Sequence, residues 1–535
     1  MLARADVLRE FILDPFPQEG ESPMTPRRAV SAFVPPPRSA AAPTQNREGY
    51  PAWERPLKEQ YLQTLLSNTF GNTFYANAKT MIAESTAIHD AMLLEDPLFA
   101  SKALVYAREK GYMRTQPIYG LARLFGIGGG AEGLTGYELA QNIFDRVIRT
   151  PNDLADFTAI VKTLRKGEGG RAIKRAAGKW LIKNLDEYRV IKYGAEKSEG
   201  AYSLRDMLQV YHPKAGKRIP LFDYIMGGGP RLENGYVEGL KQIGWFETLK
   251  SVNTEEGKVN AIIEGRLPHE VATSFAGSSK KVWAAIVPNL PIFALLRNLA
   301  TLERHGVADE QRAIIEGKLL DPETIRKSMI LPFRFVEAVK HVSAPWLADA
   351  VRGALDIACE NVPDIPGITD VALDISGSMQ SYIQTAAVFG VCLARKSKLS
   401  GKLWVFDTIL DEIKVSMRDT ILSQAGQVYA RGGTDHTVVM KHLLEERRKL
   451  DNLIYITDEQ QNTGMPLIDY VDEYRRRVNP KLKLFVVDVG PYHNAISPPD
   501  ELTWYTYGWS DQALSFISMA AQGWGSQVDA ISKGE

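Results

Sequence analysis

The stretch Val371–Met379 constrains the fold of this chain more than any other part of the sequence. An apolar run ends at Asp374, and the hydroxyl residues Ser376 and Ser378 follow at alternate positions. An amphipathic segment then extends to about Lys398, so the pattern predicts a strand, a tight turn and a helix. Ligands collect at the carboxyl ends of parallel strands, so this turn is a predicted binding site. One carboxylate and two hydroxyls suit Mg²⁺, a hard cation that keeps some of its waters.

Two later segments are predicted to reach the same site. The loop Arg431–Asp435 precedes an apparent helix and offers another hydroxyl, and the strand Leu453–Thr457 is followed directly by a carboxylate. The predicted metal ligands are therefore Asp374, Ser376, Ser378, Thr434 and Asp458.

Two other interpretations of these residues were weighed. Ser and Asp are also common turn formers and helix caps, which would make Asp374 and Asp458 purely structural. A haloacid-dehalogenase phosphatase also begins with a strand that ends in Asp, but its chemistry needs a second carboxylate where Ser376 stands. The order and number of matching positions favour the metal site.

This ordered set of residues resembles the metal-ion-dependent adhesion site of von Willebrand factor A domains. From Ile368 onward, predicted strands alternate with helices, which indicates a doubly wound α/β domain. We assign residues 361–535 to a von Willebrand factor A-like domain, with Mg²⁺ as the expected cofactor. The predicted strands are Asp370–Ile375, Leu403–Asp407, Leu453–Thr457, Leu484–Val489 and Leu502–Tyr507.

The sequence before this domain predicts an arm followed by helices. Residues 1–43 are rich in Pro, Ala and Ser in their second half and are predicted to form a flexible arm. Residues 44–360 show apolar positions at helical spacing, broken by short Gly or Pro turns, and almost no strand-like alternation. Many helices with short connectors predict antiparallel pairs stacked as a solenoid or bundle. Two prolines in Asn361–Gly367 forbid a continuous helix and mark the boundary.

Charge and cysteine content restrict the classes of protein. The formal net charge is +0, but residues 361–535 hold 17 basic and 22 acidic residues, so the first 360 residues carry the compensating excess of five positive charges. Two cysteines are too few for a disulfide framework or a cysteine zinc site. No signal peptide and no apolar run of membrane-spanning length is recognised, so we expect a cytoplasmic protein without a membrane partner.

A basic stretch lies within the helical part. Between Lys162 and Arg218 there are fifteen Lys or Arg residues against six acidic residues, with tyrosines and His212 among them. Such a face is typical of RNA binding, although a solvated helix face is the plain alternative. Four basic residues share one face of a predicted helix: Arg171, Lys174, Arg175 and Lys179.

Four short motifs resemble landmarks of the TROVE module, which occurs in Ro autoantigens, telomerase-associated proteins and vault components. TROVE followed directly by a von Willebrand A domain resembles the Ro family. The resemblance implies a closed ring of HEAT-like helical repeats, with small noncoding Y-like RNAs on its outer basic face. It further implies that single-stranded 3′ ends of misfolded RNAs enter a central hole, and that an exoribonuclease can be tethered as a partner. The landmarks are Gly111–Thr115, Leu267–Thr273, Ala294–Leu299 and Leu331–Phe335.

Residue by residue, the resemblance extends the candidate RNA contacts. Lys192 with Tyr193 and His212 match the family's contact segment, and Lys197 stands next to a position where this chain has Glu196. Lys214 follows in the same basic segment. The candidates for the hole are Arg114, Arg297 and Arg334, each of which also has a structural interpretation as a partner of polar groups.

The predicted function is therefore that of a non-enzymatic RNA-binding protein, which we expect to be a monomer, in noncoding-RNA quality control or degradation. A metal-dependent protein-interaction scaffold is the chief alternative, and steep salt dependence would favour RNA. A hydrolytic enzyme comes third, because the sequence offers no acid/base pair outside the metal site, and no catalytic residue is predicted.

Overall fold

The computed structural model describes residues 43–73, 75–126, 130–131, 133–165, 170–194, 201–227, 239–328, 330, 333–360, 362–399, 401–508, 516–518, 520–521 and 527–534. These residues form two compact units. The first unit combines the described residues up to Gln116 with those of Val362–Met417 and those from Gln424 onward. The second unit combines Pro117–Asn361 with the short segment Arg418–Ser423. This grouping differs from the predicted division, which placed residues 44–116 with the later helices.

The helices are, in chain order, α1 (Leu57–Ser67), α2 (Ala78–Glu95), α3 (Pro97–Glu109), α4 (Thr115–Leu124), α5 (Gly136–Val147), α6 (Pro151–Arg165), α7 (Gly170–Asn184), α8 (Glu187–Tyr193), α9 (Leu204–Tyr211), α10 (Ile219–Met226), α11 (Lys241–Ser251), α12 (Glu255–Gly265), α13 (His269–Ala276), α14 (Lys280–Ile286), α15 (Ile292–Arg304), α16 (Arg312–Leu319), α17 (Pro322–Ser328), α18 (Phe333–Val339), α19 (Pro345–Glu360), α20 (Ile383–Lys396), α21 (Ile421–Ala425), α22 (Thr437–Glu445), α23 (Leu467–Arg477) and α24 (Gln527–Lys533).

The strands are β1 (Pro43–Gln45), β2 (Pro51–Glu54), β3 (Gly130–Ala131), β4 (Leu134–Thr135), β5 (Thr369–Asp374), β6 (Leu403–Phe406), β7 (Leu410–Ile413), β8 (Asn452–Thr457), β9 (Lys483–Asp488), β10 (Asn494–Ala495) and β11 (Thr503–Tyr507).

A six-stranded sheet forms the centre of the first unit, in the order β11-β9-β8-β5-β6-β7. Every pairing is parallel except that of β6 with β7, so the sheet is doubly wound with one antiparallel edge strand. All residues of β5 and β8 are buried, as expected for parallel strands covered on both faces. Helix α20 packs so closely on the sheet that a Cβ added at Gly390 would lie 3.2 Å from Leu403 Cδ1.

The segment Pro43–Glu54 completes this unit. The hairpin of β1 and β2 pairs through β2 with β10, so that Asn494 faces Glu54 and Ala495 faces Trp53. The sequence analysis found neither this hairpin nor β10. The strands are two to four residues long, too short for an alternating pattern to show.

A buried arginine joins the same segment to the edge of the large sheet. Arg55 is 2% exposed; its guanidinium pairs with Glu459, and its Nη1 lies 2.8 Å from Asp488 Oδ2. The group also stands over two aromatic rings, 4.6 Å from the Tyr505 centroid and 5.3 Å from that of Tyr507. One cation, supplied by the residue that follows β2, thus pairs with two buried carboxyl groups.

The second unit is helical in its described residues, apart from the small β3–β4 pair. Several of its helices begin where the sequence supplies capping side chains. Thr135 and Glu138 form a capping box at α5, and Ser203 with Asp206 forms another at α9. Part of the core is a triangle of edge-to-face rings, Phe125, Phe144 and Phe157, with centroids 5.3–6.1 Å apart. The predicted combination of a helical part with a doubly wound α/β part is confirmed.

No helix within the described ranges is long and apolar enough to cross a membrane.

Candidate functional site

The strand order of the first unit creates a crevice at one edge of the sheet. The chain runs from β5 to β6 and β7 on one side, and then continues from β8 to β9 and β11 on the other. Ligands bind outside the carboxyl ends of the strands at such a reversal. Asp374 is the last residue of β5, and Asp458 follows β8 directly, so both lie at this point.

Asp374 is fully buried and held by two hydrogen bonds. Its Oδ1 accepts from the Ser376 backbone N–H at 2.8 Å, and its Oδ2 accepts from Thr457 Oγ1 at 2.7 Å. The Nε2 atom of His436 lies 2.8 Å from the same Thr457 hydroxyl and 3.8 Å from Asp374 Oδ2. Burial lowers the pKa of His436, which keeps its ring neutral at pH 7.

Asp458 is a buried carboxyl group, and one of its two oxygens lacks a hydrogen-bond partner among the described residues. Its Oδ1 accepts from the Gln460 backbone N–H at 3.2 Å, whereas its Oδ2 has no hydrogen-bond partner within the described part of the chain. Burial, and then the nearby Asp374 carboxylate, raise the pKa of Asp458 to about 8. A cation between the two carboxylates would remove the repulsion that raises this pKa.

The predicted hydroxyl donors lie at the same edge. Ser376 Oγ and Ser378 Oγ are 3.3 Å apart, and both side chains are buried. The loop that contains Thr434 is tied to the first turn, because Gly377 N–H donates to the Gly432 carbonyl at 3.1 Å. Gly432 has a φ of +68°, and a Cβ there would stand 2.8 Å from Asp407 Oδ2, so only glycine fits this loop.

These donors are all oxygens, with two carboxylates among them. The described residues hold no group of three or more His, Cys, Asp or Glu side chains that could bind a metal ion. A site of two carboxylates and several hydroxyls therefore suits Mg²⁺, which needs few protein ligands, better than zinc or another ion that prefers nitrogen or sulfur. The unpartnered Asp458 Oδ2 is the atom that fits such an ion most directly.

The sequence analysis did not name two supporting side chains of this site. Thr457 and His436 hold Asp374 through the hydroxyl described above, and the Tyr455 hydroxyl donates to the His436 carbonyl at 2.8 Å. Their positions in the sequence offered a clue, because Thr457 is adjacent to the predicted ligand Asp458 and His436 is two residues from the predicted ligand Thr434. A buried histidine next to a carboxylate cannot be distinguished from a surface histidine without the fold.

In the second unit, helix α7 presents the predicted basic face. Arg171, Arg175 and Lys179 are exposed, and Lys174 is partly buried. Helix α9 packs against α7, and the loop after it passes close to this face, since a Cβ at Gly178 would lie 3.8 Å from Pro213. His212 and Lys214 in that loop are exposed, and His212 ends α9 in a left-handed conformation with φ 44°.

A second group of cations surrounds an exposed aromatic ring. Phe293 at the start of α15 is 37% exposed, and the guanidinium carbons of Arg297 and Arg334 lie 5.9 Å and 5.6 Å from its ring centroid. His269 links this group to Lys192: burial, and then the charges of Lys192 and Arg297, lower its pKa against the opposing effect of Glu270. Lys192 also forms a 3.2 Å ion pair with Glu270. We call Lys192, His269, Phe293, Arg297 and Arg334 the aromatic–cation cluster.

The structure thus groups the predicted RNA contacts differently from the sequence analysis. Lys192 was placed with the outer face, yet it pairs with Glu270 beside His269, whose pKa is also lowered by Arg297, a candidate for the hole. Arg114 is exposed and belongs to the first unit. Lys197 lies outside the described residues. Phe293 and His269 were not among the predicted contacts, although His269 lies within the landmark Leu267–Thr273 and Phe293 directly precedes Ala294–Leu299.

Comparison with known proteins agrees with this architecture. The TROVE domain family matches residues 268–350. The chain is 25% identical to the RNA-binding protein RO60 of Deinococcus radiodurans over 468 residues, which cover 80% of this chain and 86% of that protein. It is 23% identical to the RNA-binding protein RO60 of Caenorhabditis elegans over 446 residues, covering 68% and 69%. The crystal structure of the D. radiodurans RO (RSR) protein has the same fold, with a TM-score of 0.65, 19% identity, and coverage of 87% of this chain and 100% of that one.

The match to the TROVE domain lies in the helical unit, in one chain with a doubly wound α/β unit, and makes this chain similar to TROVE-domain proteins. Three of the four predicted landmarks overlap the matched range. The chain is similar to RNA-binding proteins of the Ro type over most of its length, and the predicted resemblance is confirmed.

Proposed function

We propose that this protein binds RNA through its helical unit and acts without catalysis in the quality control of noncoding RNA. The relatives in D. radiodurans and C. elegans are named RNA-binding proteins, which supports the general activity. The observation that carries the proposal is the aromatic–cation cluster. An exposed phenyl ring flanked by two guanidinium groups offers a stacking surface for a base and positive charge for the adjacent phosphates.

The cluster suits single-stranded RNA better than a duplex. A base must be unstacked before it can lie on the Phe293 ring, and single strands offer such bases without the cost of opening pairs. We therefore assign the single-stranded 3′ ends of misfolded RNAs to this cluster. Structured, Y-like RNAs are assigned to the basic face of α7, where Arg171, Arg175 and Lys179 would contact phosphates.

The test uses an RNA with a single-stranded 3′ tail and the same RNA with its tail paired to a complementary strand. The unchanged protein is expected to prefer the tailed form. Phe293→Leu keeps an apolar side chain but loses the stacking surface, and should weaken tailed-RNA binding about fivefold or more. Arg312→Ala is the matched control, because Arg312 also stands over an aromatic ring, 4.9 Å from the Trp346 centroid. Equal affinity of the unchanged protein for the tailed and the paired RNA would contradict the assignment of single-stranded 3′ ends to the aromatic–cation cluster.

We further propose that the first unit binds Mg²⁺ through Asp374, Ser376, Ser378, Thr434 and Asp458, as the likeness to the metal-ion-dependent adhesion site implies. A bound cation would supply a positive charge able to attract an external carboxylate. Asp374→Ala should abolish Mg²⁺ binding in calorimetry, while Ser376→Ala should weaken it less, because a hydroxyl binds more weakly than a carboxylate. Unaltered Mg²⁺ affinity in Asp374→Ala would exclude the site.

A second function, metal-dependent docking of a protein partner, is supported by one observation. Three large apolar side chains are exposed on loops at this edge of the sheet: Ile409 at 62%, Tyr429 at 65% and Met465 at 54%. Exposed apolar groups beside a cation suit a protein ligand that combines an acidic residue with apolar neighbours. Chelation of Mg²⁺ should abolish such docking and leave RNA affinity unchanged, whereas added salt should weaken RNA binding steeply.

A further inference from the structure

The N-terminal segment of the chain lies against the proposed metal centre. Asn46 Nδ2 donates to the Gln461 carbonyl at 2.7 Å, and the Arg47 backbone N–H donates to Gln460 Oε1 at 2.8 Å. Gln460 and Gln461 follow Asp458 by two and three residues. The segment and the sheet belong to the same compact unit.

This segment is a well-defined turn, and Glu48 stands at its tip. Asn46 Oδ1 accepts from the backbone N–H groups of Glu48 at 3.0 Å and Tyr50 at 2.8 Å, and the Asn46 backbone N–H donates to the Tyr50 carbonyl at 2.9 Å. Gly49 takes a φ of +75°, which closes the turn. These hydrogen bonds fix the backbone of Glu48, and therefore the point from which its exposed side chain extends.

Tyr75 connects Glu48 with the predicted ligands. Its hydroxyl donates a hydrogen bond to the Glu48 carboxylate and is hydrogen-bonded to the Ser378 hydroxyl, and the ring packs edge-on against Tyr492 with centroids 5.4 Å apart. Glu48 is thus separated from a predicted metal ligand by a single hydroxyl group.

We propose that Glu48 is a carboxylate that the chain presents to its own metal centre, where it takes the position that an external carboxylate would otherwise take. This inference rests on the Mg²⁺ site proposed above. The five predicted ligands include only two carboxylates, so a bound divalent cation leaves room for a third acidic group. The turn places the Glu48 carboxylate so that the Tyr75 hydroxyl alone links it to Ser378. The hydrogen bond from Tyr75 orients this carboxylate. Glu48 therefore both strengthens cation binding and competes with an acidic partner.

The experiment measures Mg²⁺ binding to the full chain by calorimetry, with acetate as a small external carboxylate. Glu48→Gln removes the charge and keeps the size of the side chain, and is expected to raise the Kd for Mg²⁺ roughly tenfold. Acetate should restore the lost affinity in Glu48→Gln and have little effect on the unchanged protein. Glu54→Gln, an exposed carboxylate in β2 of the same hairpin, is the matched control and should bind Mg²⁺ normally.

The outcomes separate this inference from the site on which it rests. If Asp374→Ala abolishes Mg²⁺ binding while Glu48→Gln binds as tightly as Glu54→Gln, the metal site stands and the role of Glu48 is overturned. If Glu48→Gln weakens binding and acetate fails to restore it, the competition with an external carboxylate is overturned. If Asp374→Ala binds Mg²⁺ normally, the site itself fails, and the inference fails with it.

Discussion

At the scale of single residues, the first unit depends on polar side chains that are buried in unusual states. Asp458 and Asp374 bring two carboxyl groups together at the end of the sheet, while Arg55 pairs with two others, Glu459 and Asp488. His493 adds a neutral ring: burial, and then the charges of Arg55 and Arg47, lower its pKa to about 4. Each of these groups makes the stability of the unit sensitive to a single proton or a single substitution.

His493 predicts a loss of stability in mild acid. In the unfolded chain it takes up a proton near pH 6.5, whereas in the folded chain it does so only near pH 4. Its contribution is therefore complete above pH 6.5 and is lost as the pH falls from about 6.5 to about 4, by at most about 3 kcal/mol. Denaturant unfolding across this range should show the loss.

The matched variant for that measurement is His493→Asn. His493 adopts a φ of 59°, which Asn tolerates better than other side chains, and an amide can still hydrogen-bond with Gln63. The variant should lose less stability between pH 6.5 and pH 4 than the unchanged protein. Identical pH profiles would show that other groups govern the acid response.

Arg55 predicts a large loss of stability on truncation. Arg55→Ala leaves Glu459 and Asp488 buried without their cation, which typically costs about 3–5 kcal/mol. Arg477→Ala is a control from the same unit, because its ion pair with Glu473 is exposed at 59% and 35% and should contribute less than about 1 kcal/mol. Thermal or denaturant unfolding of the two variants would separate the effects, and similar losses would contradict the structural role of Arg55.

At the scale of elements, the strands and helices that show a regular apolar pattern were predictable from the sequence. The five predicted strands match β5, β6, β8, β9 and β11 to within one residue at each end, because buried parallel strands give continuous apolar runs. The short strands of the β1–β2 hairpin give no such apolar run. From the sequence alone, Arg55 would be predicted as a surface residue, because its two carboxyl partners are distant in the chain. Likewise, the aromatic–cation cluster joins α8, α13, α15 and α18, which no local pattern connects.

Helix α7 predicts a salt-dependent effect on the binding of structured RNA. Reversing the charge of Arg171, Arg175 and Lys179 should lower affinity and reduce the slope of log affinity against log salt by about 0.7–0.9 for each lost phosphate contact. Lys280, Lys281 and Lys327 are 52–74% exposed and provide a control with an equal change in charge. If both triple variants lose affinity equally, the effect is one of net charge and does not belong to α7.

At the scale of the whole molecule, the chain contributes to its first unit twice. Residues up to Gln116 and those after Val362 form one compact unit, while the residues between them form the other. The α/β unit is therefore not contained in the C-terminal third of the sequence. Its central sheet lies within that third. Residues 51–55, however, supply the strand that pairs with β10 and the cation between Glu459 and Asp488.

This arrangement predicts how fragments behave. Residues 362–535 expressed alone should be unstable or aggregate, because Glu459 and Asp488 stay unpaired and β10 loses its partner strand. Adding residues 43–116 as a separate chain should restore a cooperative unfolding transition and slow amide hydrogen exchange in the sheet. A stable isolated fragment with native exchange protection would contradict the prediction.

The pairing of β2 with β10 also sets the timing of biosynthesis. Asn494 leaves the ribosome 440 residues after Glu54, its partner in the ladder. At about 5–20 residues per second, the hairpin and Arg55 wait about 20–90 s for the strand and carboxylates that complete them. Throughout that interval the nascent chain holds an unpaired strand edge and an unmatched cation while the whole intervening helical unit is synthesised. Elongation speed, and any chaperone that shields the first hundred residues, should therefore govern the yield of native protein more strongly than the folding of the helices themselves.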